Sequence, residues 1–200
     1  MSVDMAIALA GFAFVMSISP GPGNFLLLAS GANFGFLRSL PLLLGISGGF
    51  LAMVFAVGIG LGRVFEQFSQ IYDVMRIISA LYVLWMAIGI ARSKSIDSKG
   101  RDKVNMPIGF FQAAMLQLVN PKAWAVSLIV TISYTVPDQL LTSLILLIAI
   151  FAVVNIPALS IWVLSGAALR QTLAQGRRIV MFNIVMAMLL IASMVPVLLR

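Results

Sequence analysis

Two polar motifs interrupt apolar stretches of this 200-residue chain, and they carry the residue types that could bind a small molecule. The first runs Ser19-Pro20-Gly21-Pro22-Gly23-Asn24, and the second runs Asn120-Pro121-Lys122-Ala123-Trp124. Proline lacks a backbone N–H and its ring clashes with the preceding turn, so each motif should break an α-helix. In a membrane the freed backbone groups need partners from protein or water, so such a break is expected where it lines a polar cavity. Paired broken helices therefore predict a substrate site near the membrane centre.

The first motif offers mainly backbone groups to a ligand. If the helix unwinds at Pro20, Gly21, Pro22 and Gly23, the second half-helix begins near Asn24 with free N–H groups and a positive dipole end. The first half-helix would end near residues 17 and 18 with free carbonyls. Such an arrangement suits a zwitterion, and the glycines let a ligand approach the backbone closely. The alternative is a structural kink packed against neighbouring helices, because proline and glycine are common in transmembrane helices.

The second motif adds a charge. Lys122 lies about 14 residues into its apolar stretch, which at ~1.5 Å per residue is near the bilayer centre, where a charge indicates function. Lys122 could bind a substrate carboxylate or exchange a proton during transport; the alternative is a lysine that pairs with freed helix carbonyls. Asn120 could cap the following half-helix or bind a ligand amine, and Gln117 is predicted to share its face. Pro121 completes the predicted substrate-binding set.

No carboxylate lies near the middle of an apolar stretch, so a carboxylate proton relay is not visible in the sequence. Asp73 is the deepest candidate, and with Arg76 it could instead form a pair at the membrane surface. Proton coupling would then depend on Lys122, on Asp73 or on the substrate. Gln112, Asn155 and Asn183 are the other polar residues inside apolar stretches, and each is predicted to hydrogen-bond between helices.

The composition defines the class of protein. Hydrophobic residues make up 62% of the chain and charged residues 10%, against about 25% charged in a soluble domain. These values indicate a polytopic membrane protein. Cysteine and histidine are absent, which excludes disulfides, thiolate or imidazole metal sites and Ser-His or Cys-His catalytic pairs. We therefore expect no enzyme, no cofactor and no metal. The net charge of +7 lies mainly in loops, which favours a role in membrane orientation over nucleic-acid binding.

Six apolar stretches are long enough to span a bilayer, at about 20 residues each. They cover about residues 4–29, 40–61, 71–91, 108–133, 140–164 and 179–199. Nine Lys and Arg residues fall in the odd-numbered loops and two on the other side, which predicts cytoplasmic odd loops and outward termini. A five-span version would spoil this asymmetry.

The single domain would divide into residues 1–91, a cytoplasmic loop at 92–107 and residues 108–200. Three spans in each half give the halves opposite orientation, as in an inverted 3+3 repeat with spans 1 and 4 broken.

Over nearly its whole length the chain resembles the lysine exporter and homoserine/threonine resistance family (LysE/RhtB) of bacterial amino-acid exporters. The resemblance rests on the following residues: Pro20-Gly21-Pro22 with Asn24, Gly45 with Gly49, Leu81-Tyr82-Val83-Leu84-Trp85, and Asn120-Pro121-Lys122. It implies export of an amino acid or derivative across the inner membrane, driven by the proton motive force. Phe50 stands where many members carry an acidic or polar residue, which disfavours a dibasic substrate. Members that export cysteine or O-acetylserine look more similar.

The sequence thus predicts an all-α, six-helix efflux transporter for a small amino acid, with the lipid bilayer and protons as further partners. It also allows a homodimer, since small membrane transporters often dimerise. The alternatives are a channel or an exporter of another small solute or anion, an intramembrane enzyme, and a scaffold whose kinks are only structural.

Overall fold

The computed structural model is helical throughout the residues that it describes, namely 1–61, 69–92, 107–173, 177–193 and 195. These residues contain eight α-helices and no strand. In chain order the helices are α1 (Val3–Ile18), α2 (Pro22–Phe34), α3 (Phe36–Ala56), α4 (Ser69–Ala91), α5 (Phe110–Leu118), α6 (Pro121–Tyr134), α7 (Leu140–Leu173) and α8 (Arg177–Ala192). A π turn, Val57–Leu61, extends α3, and a 3-10 turn, Pro137–Gln139, precedes α7. The predicted all-α class is confirmed.

Both predicted helix breaks are present. The axes of α1 and α2 meet at 60°, and those of α5 and α6 meet at 70°. Pro22 and Pro121 each begin the second helix of their pair. Proline is well tolerated there, because the N–H that it lacks would have no partner within the helix and its fixed φ suits the first turn. The prolines therefore start the second half-helices, and the polypeptide turns just before them.

Two to four membrane spans can be assigned by length and apolarity within the described ranges. The segment Phe36–Gly60 and helix α7 each qualify alone, and each bent pair qualifies if it is counted as one span. Helix α4 carries a shorter apolar segment, Ala80–Ala91, and α8 has 16 residues. The chain is thus a multi-pass membrane protein, while the six-span inverted repeat stays a prediction. Helix α7 has 34 residues and continues beyond the predicted limit at residue 164, with Arg170 in its last turn.

Large apolar side chains lie on the outer surface of several helices. Val3, Leu37, Phe111, Ile132 and Val153 are each more than 70% exposed, and they belong to five different helices. In water such a surface would be costly, because each buried apolar side chain stabilises by about 1.5–3 kcal/mol relative to an exposed one. Exposed apolar residues around the molecule are what a lipid-facing surface requires.

Glycines let two pairs of helices touch backbone to backbone. A Cβ atom built on Gly31 of α2 would overlap the carbonyl oxygen of Val163 in α7, and one on Gly166 would overlap that of Leu28. Gly45 of α3 meets the carbonyl of Phe110 in the same way. Small residues commonly allow such close approach between membrane helices. Gly45 therefore serves close packing between α3 and α5.

A buried amide pair joins α2 to α8. Asn33 and Asn183 exchange hydrogen bonds of 2.8 and 3.1 Å between their side chains. Helix α8 also packs along α4, and α7 packs against α1, α2 and α3. The interhelical role predicted for Asn183 is confirmed, and α7 is the element that holds the first broken helix in place.

We predict that Gly31→Ala destabilises the fold by about 1–3 kcal/mol, the usual cost of overpacking, because the added methyl group meets backbone that cannot move aside. Gly11→Ala is the matched control, since a Cβ at Gly11 would have nothing within 4 Å. The control should be neutral or stabilising by about 0.5–1 kcal/mol, because alanine favours helix. Thermal unfolding of both variants in detergent measures the difference. Equal melting temperatures for the two variants would contradict the close α2–α7 contact.

Candidate functional site

The two helix breaks line one cavity of about 60 Å³. Its walls include Gly21, Pro22, Gly23 and Asn24 from the first break and Gln117, Asn120 and Lys122 from the second. Of the nine predicted substrate-binding residues, the cavity therefore brings seven together. Pro20 is exposed and Pro121 half-buried, and neither is among the lining residues. Asp73 belongs to α4, but its side chain lies outside the described part, so its proposed proton role stays a prediction.

Lys122 connects the two breaks directly. Its Nζ donates to the backbone oxygen of Ser19 at 2.8 Å and to Ser19 Oγ at 2.7 Å. Its aliphatic part lies over Gly21, where an added Cβ would be 3.2 Å from Lys122 Cδ. Pairing with freed helix carbonyls is the alternative role that the sequence predicts for Lys122. The carbonyl that Lys122 binds belongs to the other broken helix. The lysine therefore connects two segments that are 103 residues apart.

Side-chain donors satisfy the other carbonyls that the bends set free. Asn24 Nδ2 donates to the backbone oxygens of Ser17 and Ser19, both at 2.8 Å. Trp162 Nε1 donates to the oxygen of Ile18 at 3.2 Å. At the second break, Trp124 Nε1 donates to Leu118 O at 2.8 Å. Because unpaired backbone groups are costly inside a membrane, these bonds stabilise each bend.

The two second half-helices differ at their N-termini. Asn120 Oδ1 accepts a hydrogen bond from Lys122 N at 3.1 Å, so α6 carries the side-chain cap predicted from the sequence. Helix α2 follows Gly21, which has no side chain to cap it. The first-turn amides of Gly23 and Asn24 thus have no capping side chain, and both residues line the cavity. The positive dipole end of α2 favours an anion at this wall.

Helices α3 and α7 complete the walls with residues outside the predicted substrate-binding set. Phe50 and Phe151 pack with ring centroids 5.1 Å apart, and both line the cavity. Asn155 of α7 also lines it and donates through Nδ2 to Ser17 Oγ at 2.9 Å. Asn155 thus makes the interhelical hydrogen bond predicted for it, and it also reaches the cavity. The place of Asn155 at the cavity follows from how α7 packs against α1, which the sequence does not show.

Lys122 is the single charged residue among the described residues that line the cavity. Among the described residues, no group of three or more Cys, His, Asp or Glu side chains lies close enough together to hold a metal ion. The walls instead combine one ammonium group, an uncapped helix N-terminus and several amide side chains. These groups suit a small ligand that carries a carboxylate and further hydrogen-bonding groups.

The chain is similar in sequence to a known family of membrane proteins. The profile of the family described as LysE type translocator matches residues 14–198. A cysteine/O-acetylserine efflux protein of Salmonella paratyphi A is 30% identical over 183 residues, which cover 90% of each chain. Proteins with the same name from Klebsiella pneumoniae and Escherichia coli O1:K1 are 34% identical over 122 residues (61% of each chain) and 28% identical over 183 residues (90% of each chain). No solved structure matches the chain.

The contact between the breaks can be tested by cross-linking, because the natural chain has no cysteine. We expect Ser19→Cys combined with Lys122→Cys to react with a short bis-methanethiosulfonate, since the Lys122 side chain reaches Ser19. The product is detected as a single fragment after proteolysis between the two helices. The control pairs Lys122→Cys with Gly11→Cys, because Gly11 lies about 12 Å from Ser19 along α1 at ~1.5 Å per residue. Equal yields from both pairs would contradict the shared cavity.

Proposed function

The chain belongs to the LysE type translocator family, and we propose that it exports a small amino acid or amino-acid derivative across the bacterial inner membrane. The observation that carries this proposal is the cavity that the two broken helices share, with Lys122 reaching from one break to the other. Broken helices whose termini meet at a shared cavity are a usual way to build a transporter site. The relatives named above are efflux proteins, which supports the outward direction.

The cavity walls favour a neutral zwitterion as substrate. Lys122 and the uncapped N-terminus of α2 can hold one carboxylate. No carboxylate is present among the described lining residues, so a second positive charge on the substrate would have no partner. Phe50 and Phe151 present apolar surface to the substrate side chain. Cysteine and O-acetylserine, which the names of the relatives mention, are both small and neutral overall.

For the transport cycle we propose alternating access between two inverted halves of three spans each. The first half would hold residues 1–91 and the second residues 108–200, with residues 92–107 as the cytoplasmic loop. The bonds from Lys122 to Ser19 join the two halves. The Lys122 ammonium has three donors and two of them already go to Ser19, so a substrate carboxylate that accepts through both oxygens displaces at least one of the Ser19 bonds. Binding would thus weaken a contact between the halves and allow one to move against the other.

Lys122 is also our proposed proton-coupling residue, with Asp73 as the second candidate. A lysine in an apolar span is rare, and such residues commonly mark ion or proton pathways. The Lys122 ammonium can release a proton when its bonds to Ser19 break and can regain one when they form again. The proton motive force would then drive export through this exchange.

A channel or an exporter of another anion is the alternative, and the uncapped α2 terminus with Lys122 is the feature that favours it. Lys122 bridges the two breaks at this cavity, a contact that a channel would have to keep open. The export assay below separates the two, since an anion carrier would release no amino acid.

We expect cells that overproduce the chain to accumulate one amino acid or derivative in the medium, and Lys122→Ala to lower this export about tenfold or more. The variant loses a charge-assisted hydrogen bond, which is worth about 1.5–3 kcal/mol. Lys103→Ala, in the polar segment between the halves, is the matched control and should export normally. Amounts of each variant in the membrane are compared by immunoblot. Unchanged export by Lys122→Ala would remove the role of this residue, and no release across a broad amino-acid panel would count against an exporter.

We further expect Lys122→Arg to separate binding from coupling. Arginine keeps the positive charge but does not release its proton, so a proton-driven step through residue 122 should stop. Inside-out vesicles containing Lys122→Arg should still exchange labelled for unlabelled substrate but should lose uptake driven by a proton gradient. Normal driven uptake by this variant would show that Lys122 is not the coupling residue.

A further inference from the structure

A series of hydrogen bonds runs along the first half of the cavity wall, starting at Asn155. Asn155 Nδ2 donates to Ser17 Oγ at 2.9 Å. Asn24 Nδ2 bridges the backbone oxygens of Ser17 and Ser19, and Lys122 Nζ donates to the oxygen of Ser19. The amide of α7 is thereby connected, through the first break, to the lysine of the second.

The same series continues within the second break and ends at Gln117. Lys122 N donates to Asn120 Oδ1 at 3.1 Å, and Asn120 Nδ2 donates to Gln117 Oε1 at 3.3 Å. All the side chains that form these bonds, except that of Ser19, line the cavity. The wall is therefore one connected polar network with two ends, Asn155 at one and Gln117 at the other.

Both ends of this network lack a protein partner. Asn155 Oδ1, an acceptor, and Gln117 Nε2, a donor, are buried without a hydrogen bond, although their residues are only 7% and 3% exposed. Within the described residues one other buried side-chain atom, Ser47 Oγ, is in this position, and Ser47 does not line the cavity. Buried polar atoms are usually paired, so each unpaired one needs an explanation.

We propose that an α-amino acid closes this network, with its ammonium group on Asn155 Oδ1 and its carboxylate on Gln117 Nε2 and Lys122 Nζ. An ammonium group has only donors and an ionised carboxylate only acceptors, so they match an unpaired acceptor and an unpaired donor. The uncapped α2 N-terminus adds positive potential for the carboxylate. The inference rests on the proposed function and adds to it that Asn155 recognises the substrate amine and that the substrate binds in one orientation.

One consequence concerns which amino-acid derivatives the site accepts. Acetylation of the α-amine removes its charge and two of its donors, so an N-acetyl amino acid should bind poorly. O-acetylation changes only the side chain and leaves both recognised groups intact. The site should therefore distinguish O-acetyl-L-serine from N-acetyl-L-serine, although the two are isomers.

The test pairs two variants with two substrate analogues. Inside-out vesicles take up labelled L-cysteine or O-acetyl-L-serine, whichever the export assay identifies, and the analogues compete. For cysteine the analogues are 3-mercaptopropanoate, which lacks the amine, and cysteamine, which lacks the carboxylate.

Asn155→Leu should weaken competition by the amino acid and by cysteamine about tenfold or more and leave competition by 3-mercaptopropanoate unchanged. Gln117→Leu should weaken the amino acid and 3-mercaptopropanoate and leave cysteamine unchanged. For O-acetyl-L-serine, 3-acetoxypropanoate and O-acetylethanolamine take the same places.

Asn155→Asp is the control for misfolding of Asn155→Leu. It keeps an acceptor oxygen at the same place, so it should retain recognition of the amine. If Asn155→Leu weakens the amino acid and the amine-free analogue equally, or weakens neither, Asn155 does not bind the amine and the inference is wrong. If N-acetyl-L-serine competes as well as O-acetyl-L-serine, the inference is also wrong. If wild-type vesicles and cells transport no amino acid, the proposed function fails and this inference fails with it.

Discussion

The carbonyl groups freed at the first helix break must find donors inside an apolar environment, and much of the site depends on this requirement. Asn24, Trp162 and Lys122 supply those donors, and each comes from a different helix: α2, α7 and α6. The polar side chains that hold the bend are therefore largely the ones that line the cavity. Because an unsatisfied group costs several kcal/mol in lipid, removing one donor should disturb the bend and the site together. Asn24 and Lys122 thus both stabilise the bend and line the cavity.

The continuous helices α3 and α7 bring to the cavity side chains that the broken helices do not supply. Helix α7 stays continuous through Pro157 and brings Asn155 and Phe151 to the cavity, while α3 brings Ile46 and Phe50. The close glycine contacts of α7 with α2, and of α3 with α5, set the distance of these walls from the breaks. Sites supported by regular helices are held more precisely than sites on loops alone. In the transport cycle proposed above, the breaks are the parts whose hydrogen bonds the substrate would replace.

The sequence was informative wherever the physical cause is local. Proline fixes the start of a helix by its own ring, so the breaks at Pro22 and Pro121 could be predicted, and so could the cap by Asn120. The partners of these residues could not be predicted, because Lys122 and Ser19 are 103 residues apart and Asn155 and Ser17 are 138 apart. No local pattern marks such a pair. The end of α7 was also missed, since hydropathy limits the membrane span while the helix itself continues to Leu173.

The difference between the two breaks has a functional consequence that an inverted repeat alone would not predict. Equivalent breaks would place two uncapped helix N-termini at the cavity and would favour two anionic groups. Here the side chain of Asn120 caps the N-terminus of α6, while α2 begins after Gly21 without a side-chain cap. One N-terminus therefore remains for an anion, next to a single lysine. A site with one anion-binding wall, and an amide acceptor on α7, suits one carboxylate and one ammonium better than a dianion or a dication. In the proposed site, this difference between the breaks would give the ligand one defined orientation.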